Sequence, residues 1–394
     1  SDVYKRQTRV DDQVLEAMLP YLKEEYANPS SMYEFAKNPA HAMKEARGKL
    51  KDFFNAANEK EIIFTSCGSE SANMAIRGVL NMNKNKKHII TTKVEHPCVL
   101  NLYQTLEKQG YSVDYIGVNS NGELDLAQLD EAINDDTALV SIMYANNETG
   151  VIYPIQKISE MIKRKNPHTK FFVDAVQVAG KIPIDVQELG VDLLGISGHK
   201  FHAPKGVGAL YCNSKTIITP LIIGGHQERG KRAGTENVPY IVGLGKAAEV
   251  ATDFLKYEAT EVKRLRDKLE AGILKNVYNA RLNTGAALRV PNTTNIGFEY
   301  IEGELILLHL SDLGICASSG SACTSGSLEP SHVLRAMNVP FTAIHGSIRL
   351  SLSKYTTEQE IDYVNEVLPG IIEKIRNISP YQDELAELKK LKTH

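Results

Sequence analysis

The sequence predicts an α/β protein with a mainly parallel, seven-stranded sheet flanked by helices, followed by a smaller α+β domain. Between about residues 60 and 212, seven short apolar runs alternate with helical patterns. A long helical region, from about Pro239 to Val277, is rich in Ala, Leu, Lys and Glu, and strands and helices mix beyond it. We therefore predict a large domain over residues 12–255 and a small domain over residues 256–394 that also includes residues 1–11.

Each predicted strand of the large domain is a short run of apolar residues bounded by polar ones. Alternation with helices argues for a sheet that is covered on both faces. In chain order the runs read EIIF, HIITT, SVDYIGV, ALVSIMY, KFFVDA, DLLGIS and GVGALYC.

Composition excludes several classes of protein. The 45 Lys and Arg residues nearly balance the 48 Asp and Glu residues, so the net charge of -3 provides no broad basic surface for nucleic acid. No apolar run approaches the roughly 20 residues that cross a bilayer, and the start SDVYKRQ lacks a signal-peptide core. Five cysteines without a C-x-x-C pair fit neither a disulfide framework nor a zinc site. We expect a cytoplasmic protein with reduced thiols, no metal and no membrane association.

A turn of small residues follows the first predicted strand, in EIIFTSCGSESANMAI. A strand that leads through small residues into a helix N-terminus offers backbone N–H groups and a helix dipole to a phosphate, and the Ser69 hydroxyl adds a donor. Taken alone, Ser69 is more simply explained as an N-cap.

Two charged residues follow later strands of the same sheet. KFFVD ends at Asp174, where a buried carboxylate is costly unless a cation or several donors face it. LLGISGHK places Lys200 in the crevice at the carboxyl ends of the strands, where it could form a Schiff base or simply be a surface lysine. A helix N-terminus, a carboxylate and an amine together match the phosphate, ring nitrogen and aldehyde of pyridoxal 5'-phosphate (PLP), which we predict as the cofactor.

Polar residues follow two further strands. His96, after HIITT, could stack on a flat cofactor, and an amide of Asn146 or Asn147, after ALVSIMY, could reach its phenolic oxygen. A structural histidine and a turn asparagine are the alternative interpretations.

At this point the sequence closely resembles the cysteine desulfurases of the NifS/IscS type, which have the aspartate aminotransferase-like, fold type I architecture of PLP-dependent transferases. The matching segments extend in order over about residues 8 to 375. They are YANPSS, EIIFTSCGSES, VEHPCV, NNETGVI, VDAVQVAGKIPID, SGHKFHAPKGVGALY, GGHQERGKRAGTENVP, SSGSACTSGSLEPSHVL and GSIRLSLSKYTTEQEID.

The resemblance implies roles for individual residues. Lys200 would be the Schiff-base lysine, His96 the ring-stacking residue and proton carrier, and Cys323 the sulfur acceptor. Arg349 would bind the substrate carboxylate, with Asn147 beside it. The residues implied to hold the cofactor are Gly68, Ser69, His96, Asn147, Asp174, Gln177, Ser197, His199 and Lys200, with Thr235 reaching its phosphate from the second subunit of a homodimer.

Two departures from the family pattern stand out. Cys67 occupies a place in the phosphate turn where the family usually has glycine. The family also opens with a strand and an Asp-Asn-Ala-Thr-like segment, whereas SDVYKRQ stands here and the pattern resumes only at Thr8 or Arg9. Our hypothesis is that the first seven residues are foreign to the native protein and impair substrate binding.

Cys323 lies among small residues in SSGSACTSGSLEP. Such a segment would let one thiol take sulfur from L-cysteine and deliver it elsewhere, although from the segment alone it could be a surface connector with an incidental cysteine. Cys98 is a rival thiol on a more fixed segment, whereas Cys212 and Cys316 are expected to be buried. The long loop resembles that of desulfurases which donate sulfur to iron–sulfur scaffold proteins, and a tRNA-thiolation acceptor stays equally open.

We therefore predict a PLP-dependent cysteine desulfurase that converts L-cysteine to L-alanine through a persulfide on Cys323. One alternative is another PLP enzyme of the same fold, an aminotransferase or a selenocysteine lyase, which would not depend on Cys323. Others are an inactive relative that still binds the cofactor, and a non-enzymatic protein that binds thiols or metals.

Overall fold

The computed structural model describes residues 8–319, 330–381 and residue 384. Its strands are β1 (Ile62–Thr65), β2 (His88–Thr92), β3 (Ser112–Ile116), β4 (Thr137–Met143), β5 (Lys170–Asp174), β6 (Leu193–Ser197), β7 (Gly208–Cys212), β8 (Ala280–Leu282), β9 (Thr293–Phe298), β10 (Ser318–Ser319) and β11 (Ser347–Ser351). Seven of them form one sheet in the order β1-β7-β6-β5-β4-β2-β3. β7 runs antiparallel to β1 and β6, and the other neighbours are parallel. The predicted mainly parallel seven-stranded sheet is confirmed.

Helices cover both faces of this sheet, as the apolar runs require. β1, β2, β4, β6 and β7 are buried along their whole length, whereas the edge strand β3 alternates between exposed and partly buried residues. The helices of residues 8–257 are α1 (Asp12–Lys23), α2 (Lys37–Phe53), α3 (Gly68–Met82), α4 (Pro97–Lys108), α5 (Leu126–Ala132), α6 (Ile155–Lys165), α7 (Val186–Leu189) and α8 (Val238–Tyr257).

The predicted long helical region is confirmed. α8 continues through a π-helical turn, Glu258–Val262, into α9 (Lys263–Asn276). Later helices are α10 (Gly303–Asp312), α11 (His332–Ala336), α12 (Phe341–Ile344) and α13 (Glu358–Asn377). A second, antiparallel sheet has the order β10-β11-β9-β8 and shares its own apolar core with α9, α10 and α13. The domain boundary between residues 255 and 256 stays a prediction.

The first described residues, which follow the N-terminal segment of the hypothesis above, join the two sheets. The Thr8 N–H donates to the His199 carbonyl over 2.9 Å. The buried Asp11 carboxylate accepts from the Lys354 ammonium and from the Tyr355 hydroxyl, at 2.5 and 2.6 Å. Residues 1–7, and with them the hypothesis of a foreign segment, lie outside the described residues.

The parallel strands bring the predicted site residues to one edge of the large sheet. β1, β2, β4, β5 and β6 run in the same direction, so their carboxyl ends lie along one edge of the sheet, where α/β proteins bind ligands. The ends of these strands and the segments that follow them carry most of the polar residues picked out from the sequence. Across the described ranges, no helix combines the length and apolar character needed to cross a membrane.

Candidate active site

A cavity of about 260 Å³ opens at this edge of the large sheet. Its wall includes most of the residues that were predicted from scattered parts of the sequence. They are Gly68, Ser69, His96, Asn147, Asp174, Gln177, Ser197, His199, Lys200 and Arg349. Thr235 does not line the cavity and is exposed. Cys323 lies outside the described residues.

The turn between β1 and α3 forms one end of the cavity. Gly68 is the first residue of the 15-residue helix α3, and Ser69 lies in its first turn. A Cβ at Gly68 would approach Cγ2 of Val176 to 2.8 Å, so a larger residue would push the turn away from the Asp174 segment. Cys67 occupies the N-cap position, so the alternative interpretation of Ser69 as an N-cap is wrong.

Two polar atoms beside this turn are buried and have no hydrogen-bond partner within the described residues. They are the Ser197 Oγ, at the end of β6, and the His199 Nδ1, two residues later. Burial, reinforced by the nearby charges of Lys200 and Lys205, lowers the pKa of His199 to about 4, so its ring is neutral at pH 7. Hydroxyl and imidazole donors beside a helix N-terminus form a site that fits a phosphate group.

Asp174 and Lys200 share the cavity, as the PLP prediction requires. Asp174 ends β5 and is buried, and it accepts a hydrogen bond from the Val176 N–H over 3.0 Å. Burial raises the pKa of Asp174, while that hydrogen bond and the charges of His96 and Lys200 oppose the rise. A further cation against this carboxylate would offset its desolvation, and a protonated ring nitrogen is such a cation.

His96 caps the helix that follows β2. Its Nδ1 accepts from the Cys98 N–H over 3.2 Å at the N-terminus of α4. Since an accepting nitrogen carries no proton, the neutral ring has its proton on Nε2. The contact therefore fixes both the orientation and the tautomer of a ring that lines the cavity.

The two asparagines after β4 have different environments. The Asn146 side chain donates to the Val94 carbonyl over 3.0 Å and accepts from the Glu148 N–H over 2.9 Å, so Asn146 is the turn asparagine of the alternative interpretation. Asn147 instead has its Oδ1 buried without a hydrogen-bond partner among the described residues, beside the cavity. The buried Arg349, in β11, donates from Nη1 to the Asn147 carbonyl.

The described thiols differ in their surroundings. Cys67 and Cys98 line the cavity, and burial raises the pKa of Cys98, which keeps it protonated at neutral pH. Cys212 is fully buried, as predicted, and burial raises its pKa to about 11. Cys316 is exposed, so the prediction that it is buried was wrong, because the neighbouring Ile315 takes the inward position.

Three apolar lining residues were not picked out from the sequence. They are Met143, Ala145 and Val176, and they lie between the polar groups on the cavity wall. Ala145 and Val176 each lie two residues from a recognised polar residue, Asn147 and Asp174, and Met143 ends β4 four residues before Asn147. An apolar wall with a few convergent polar groups is typical of a site for an aromatic cofactor.

Comparison with known proteins agrees with this geometry. Residues 7–364 match the family model described as aminotransferase class-V. Cysteine desulfurase 2 of Trichormus variabilis is 55% identical over 96% of this chain and 94% of its own, and cysteine desulfurase NifS of Azotobacter vinelandii is 51% identical over 97% and 95%. A solved NifS-like protein superimposes with a TM-score of 0.88 at 40% identity, over 93% of this chain and 97% of its own.

The fold and the site thus define a PLP-dependent enzyme of the class-V aminotransferase family. Within that family, the chain belongs to the cysteine desulfurases. The aspartate aminotransferase-like fold and the PLP cofactor, both expected from the sequence, are confirmed. The alternative of a non-enzymatic thiol- or metal-binding protein is wrong.

Proposed function

We propose that this enzyme converts L-cysteine to L-alanine and retains the sulfur as a persulfide on Cys323. The observation that carries the proposal is the convergence of Lys200, Asp174 and Arg349 on one cavity at the carboxyl edge of the sheet. The identity of the chain to cysteine desulfurases over nearly its whole length supports it independently.

The residues present fit PLP. The Lys200 amine would hold the aldehyde carbon, Asp174 the ring nitrogen, and the His96 ring would stack on the cofactor. Gln177 and Asn147 would bond its phenolic oxygen. The phosphate would bind to the N-terminus of α3 at Gly68 and Ser69, with Ser197 and His199 beside it. When bound, PLP stabilises negative charge on the α carbon of the substrate.

Each protein group then has one task. The Arg349 guanidinium pairs with the carboxylate of L-cysteine and so orients the α carbon. The Lys200 amine removes the α proton as a general base, and the Nε2 proton of His96 is available for transfer within the cavity. The Cys323 thiolate attacks the sulfur of the substrate, forming an S–S bond while the C–S bond breaks. The released electron pair stays on the substrate carbon, which gains a proton, so that the products are L-alanine and a Cys323 persulfide.

Chain length is compatible with this attack. Cys323 lies four residues after Ser319 and seven before Pro330, spans of at most about 13 and 23 Å at roughly 3.3 Å per residue. The shorter span sets the reach of the thiol. Ser318 pairs with Arg349 across β10 and β11, so this span starts beside the proposed carboxylate site.

A homodimer is part of the proposal. Because Thr235 is exposed and does not line the cavity of its own chain, a contact with the cofactor phosphate requires a second subunit. Large apolar side chains are exposed on α1, at Leu15, Leu19 and Leu22, and at Ile223. Exposed apolar patches of this kind support an interface between subunits.

The sulfur acceptor and the compartment are also proposals. We propose an iron–sulfur scaffold protein as the acceptor, with tRNA thiolation as the alternative, on the basis of the long Cys323 segment. A cytoplasmic location is supported by the free thiols of Cys67, Cys98, Cys212 and Cys316, which suit a reducing compartment.

One assay tests the function. Purified enzyme with PLP is incubated with L-cysteine, with and without reductant, and the alanine and sulfide produced are measured. Mass spectrometry of the peptide that contains Cys323 then shows whether a sulfur atom has been added. We expect equimolar alanine and sulfide with reductant, and a persulfide on that peptide without it. Cys323→Ser should abolish both, whereas Cys316→Ser, which removes an exposed thiol seven residues earlier, should change neither. Full turnover by Cys323→Ser would instead favour the aminotransferase or selenocysteine lyase alternative.

A further inference from the structure

Two side chains hold the chain where it returns from the Cys323 segment. Ser331 caps α11, and its Oγ donates to Oε2 of Glu148 over 2.5 Å. His332, the first residue of α11, places its Nε2 at 2.9 Å from the Glu95 carbonyl oxygen. Because a carbonyl only accepts, the His332 Nε2 carries the proton and donates it.

The two residues contacted, Glu95 and Glu148, are neighbours in the sequence of proposed cofactor-binding residues. Glu95 directly precedes His96, and Glu148 directly follows Asn147. The side chains of Glu95, Glu148 and Ser331 are all buried. The contact between Ser331 and the Glu148 carboxylate is therefore shielded from water, and a buried hydrogen bond of this kind stabilises more than an exposed one, whereas the contact of His332 is partly buried.

The same backbone also contacts the proposed substrate-binding residue. Arg349 donates from Nη1 to the Asn147 carbonyl, and Asn295 donates from Nδ2 to the Glu148 carbonyl over 3.0 Å. Ser331, Glu148, Asn147 and Arg349 thus form a continuous buried chain of contacts. One end is the proposed carboxylate site, and the other is the attachment point of the Cys323 segment.

We propose that Ser331, His332 and Glu148 are positioning residues for sulfur transfer, which fix the C-terminal attachment of the Cys323 segment to the backbone of His96 and Asn147. The proposal rests on the proposed function. A tether with a fixed end confines the thiol to a smaller volume around the substrate sulfur, which raises its effective concentration there. The two hydrogen bonds therefore act on the attack by Cys323 and leave the chemistry at the α carbon unchanged.

Burial of apolar residues holds α11 independently of these contacts. Val333, Leu334 and Met337 are buried in the core of the large sheet. Removing a polar contact of Ser331 or His332 should therefore loosen the attachment without detaching the helix. Ser331→Ala also removes the cap of α11, because the Leu334 N–H donates to Ser331 Oγ over 3.2 Å. A second variant that keeps this cap is therefore needed for comparison.

Two reactions of the same PLP-loaded enzyme separate positioning from general damage. Persulfide formation from L-cysteine requires Cys323. Elimination of chloride from 3-chloro-L-alanine, which yields pyruvate and ammonia after hydrolysis, uses the same α-proton removal but needs no thiol, because chloride leaves unaided. The variants are Ser331→Ala and His332→Leu, and Ser331→Thr and His332→Gln retain a donor at each position as matched controls.

We expect Ser331→Ala and His332→Leu to slow single-turnover persulfide formation on Cys323 about 10-fold while chloride elimination stays within about 2-fold. The Thr and Gln variants should recover most of the rate. Equal losses in both reactions, or a loss in neither, would overturn the proposal. If Ser331→Ala does not fold, His332→Leu, which keeps the cap, is judged by the same criteria. A wild-type enzyme that forms no persulfide on Cys323 would instead refute the proposed function.

Discussion

The two sides of the cavity are built differently. On the large-sheet side, Asp174 and Ser197 end buried strands, and Lys200 follows within three residues. On the small-sheet side, Arg349 lies within the buried strand β11 and pairs with the two-residue strand β10, which leads into the Cys323 segment. The chain returns from that segment at α11, whose polar contacts reach the large-sheet side at Glu95 and Glu148. Strand ends hold the proposed cofactor residues, whereas a short pairing and a few hydrogen bonds hold the described residues that precede and follow the Cys323 segment.

This difference follows from the tasks that we propose for the two sides. Proton removal depends on a base that is held at a fixed distance from one carbon atom, which the buried central strands of the sheet provide. A sulfur carrier has to meet the substrate and later an acceptor, so extensive burial would oppose its function. Changes on the large-sheet side should therefore stop all chemistry, and changes on the small-sheet side should affect binding or transfer selectively.

Lys200→Ala should have the largest effect, because it removes the proposed base and the proposed attachment of the cofactor at once. We expect alanine formation from L-cysteine to fall by at least about 10³-fold. The exposed Lys205, five residues later, gives the matched control Lys205→Ala, which should keep near-normal turnover. The assay is alanine release, together with the visible absorbance of the bound cofactor, which should shift in Lys200→Ala alone. Turnover by Lys200→Ala within 10-fold of wild type would contradict the role of this side of the cavity.

Asp174→Asn should separate activity from stability. We expect turnover to fall about 10²-fold, because an amide cannot pair electrostatically with a cationic ring nitrogen. In the cofactor-free protein, by contrast, the same substitution should increase stability. Burial raises the pKa of Asp174 in the folded protein, so the ionised carboxylate destabilises the fold at pH values above its unfolded pKa, and the neutral amide removes that cost.

Thermal unfolding of cofactor-free protein at pH 7 measures the second effect. Asp174→Asn should unfold at a higher temperature than wild type, and the difference should shrink as the pH falls toward 4. A lower unfolding temperature at pH 7 would show that the carboxylate already has sufficient partners in the absence of PLP.

Arg349→Lys tests the small-sheet side. Loss of the planar, two-pronged guanidinium should raise the KM for L-cysteine about 10- to 100-fold, with a smaller effect on kcat. The control is Arg335→Lys, at an exposed position on α11. Steady-state kinetics at saturating PLP measures both constants. A large fall in kcat at unchanged KM would indicate that Arg349 acts in the chemical step rather than in binding.

Most of the large-sheet side could be predicted from the sequence, because strand ends in a parallel sheet are readable as apolar runs followed by polar residues. Asp174, Lys200 and His96 were placed in this way before any resemblance was used. Asn146 and Asn147 could not be told apart, because which amide turns inward depends on hydrogen bonds to Val94 and Glu148 that no local pattern encodes.

The small-sheet side and the contacts of α11 were harder to predict from the sequence. Arg349 came from the resemblance alone, since an arginine inside an apolar strand has no local signal that separates a ligand-binding residue from a buried ion pair. The contacts of Ser331 and His332 join residues more than 180 positions apart, so neither could be expected from spacing. Cys316 was misplaced because adjacent residues of a loop can point inward or outward with the same composition.

Asp11→Asn tests the contacts that connect the two sides, and we expect a smaller effect, on the stability of the fold. Burial alone would raise the pKa of Asp11, but hydrogen bonds from Lys354, Tyr355 and the Gln13 N–H outweigh it and lower the pKa to about 2. Because the pKa of Asp11 in the folded protein lies below its ordinary value of 3.8, this carboxylate stabilises the fold above pH 4, and the contribution is lost as the pH falls toward 2.

We expect Asp11→Asn to lower the free energy of unfolding at pH 7 by about 2 kcal/mol, from roughly 1.4 kcal/mol per pKa unit. Asp12→Asn, at the neighbouring exposed position, should change it by less than about 0.5 kcal/mol. Urea unfolding at pH 7 and pH 3 measures both, and the difference between Asp11→Asn and wild type should narrow at pH 3. Asp11 contacts Lys354 and Tyr355, just beyond β11. A rise in KM for L-cysteine in Asp11→Asn would therefore show that these contacts also orient Arg349. Lost stability at unchanged KM would show that they only hold the two sides together.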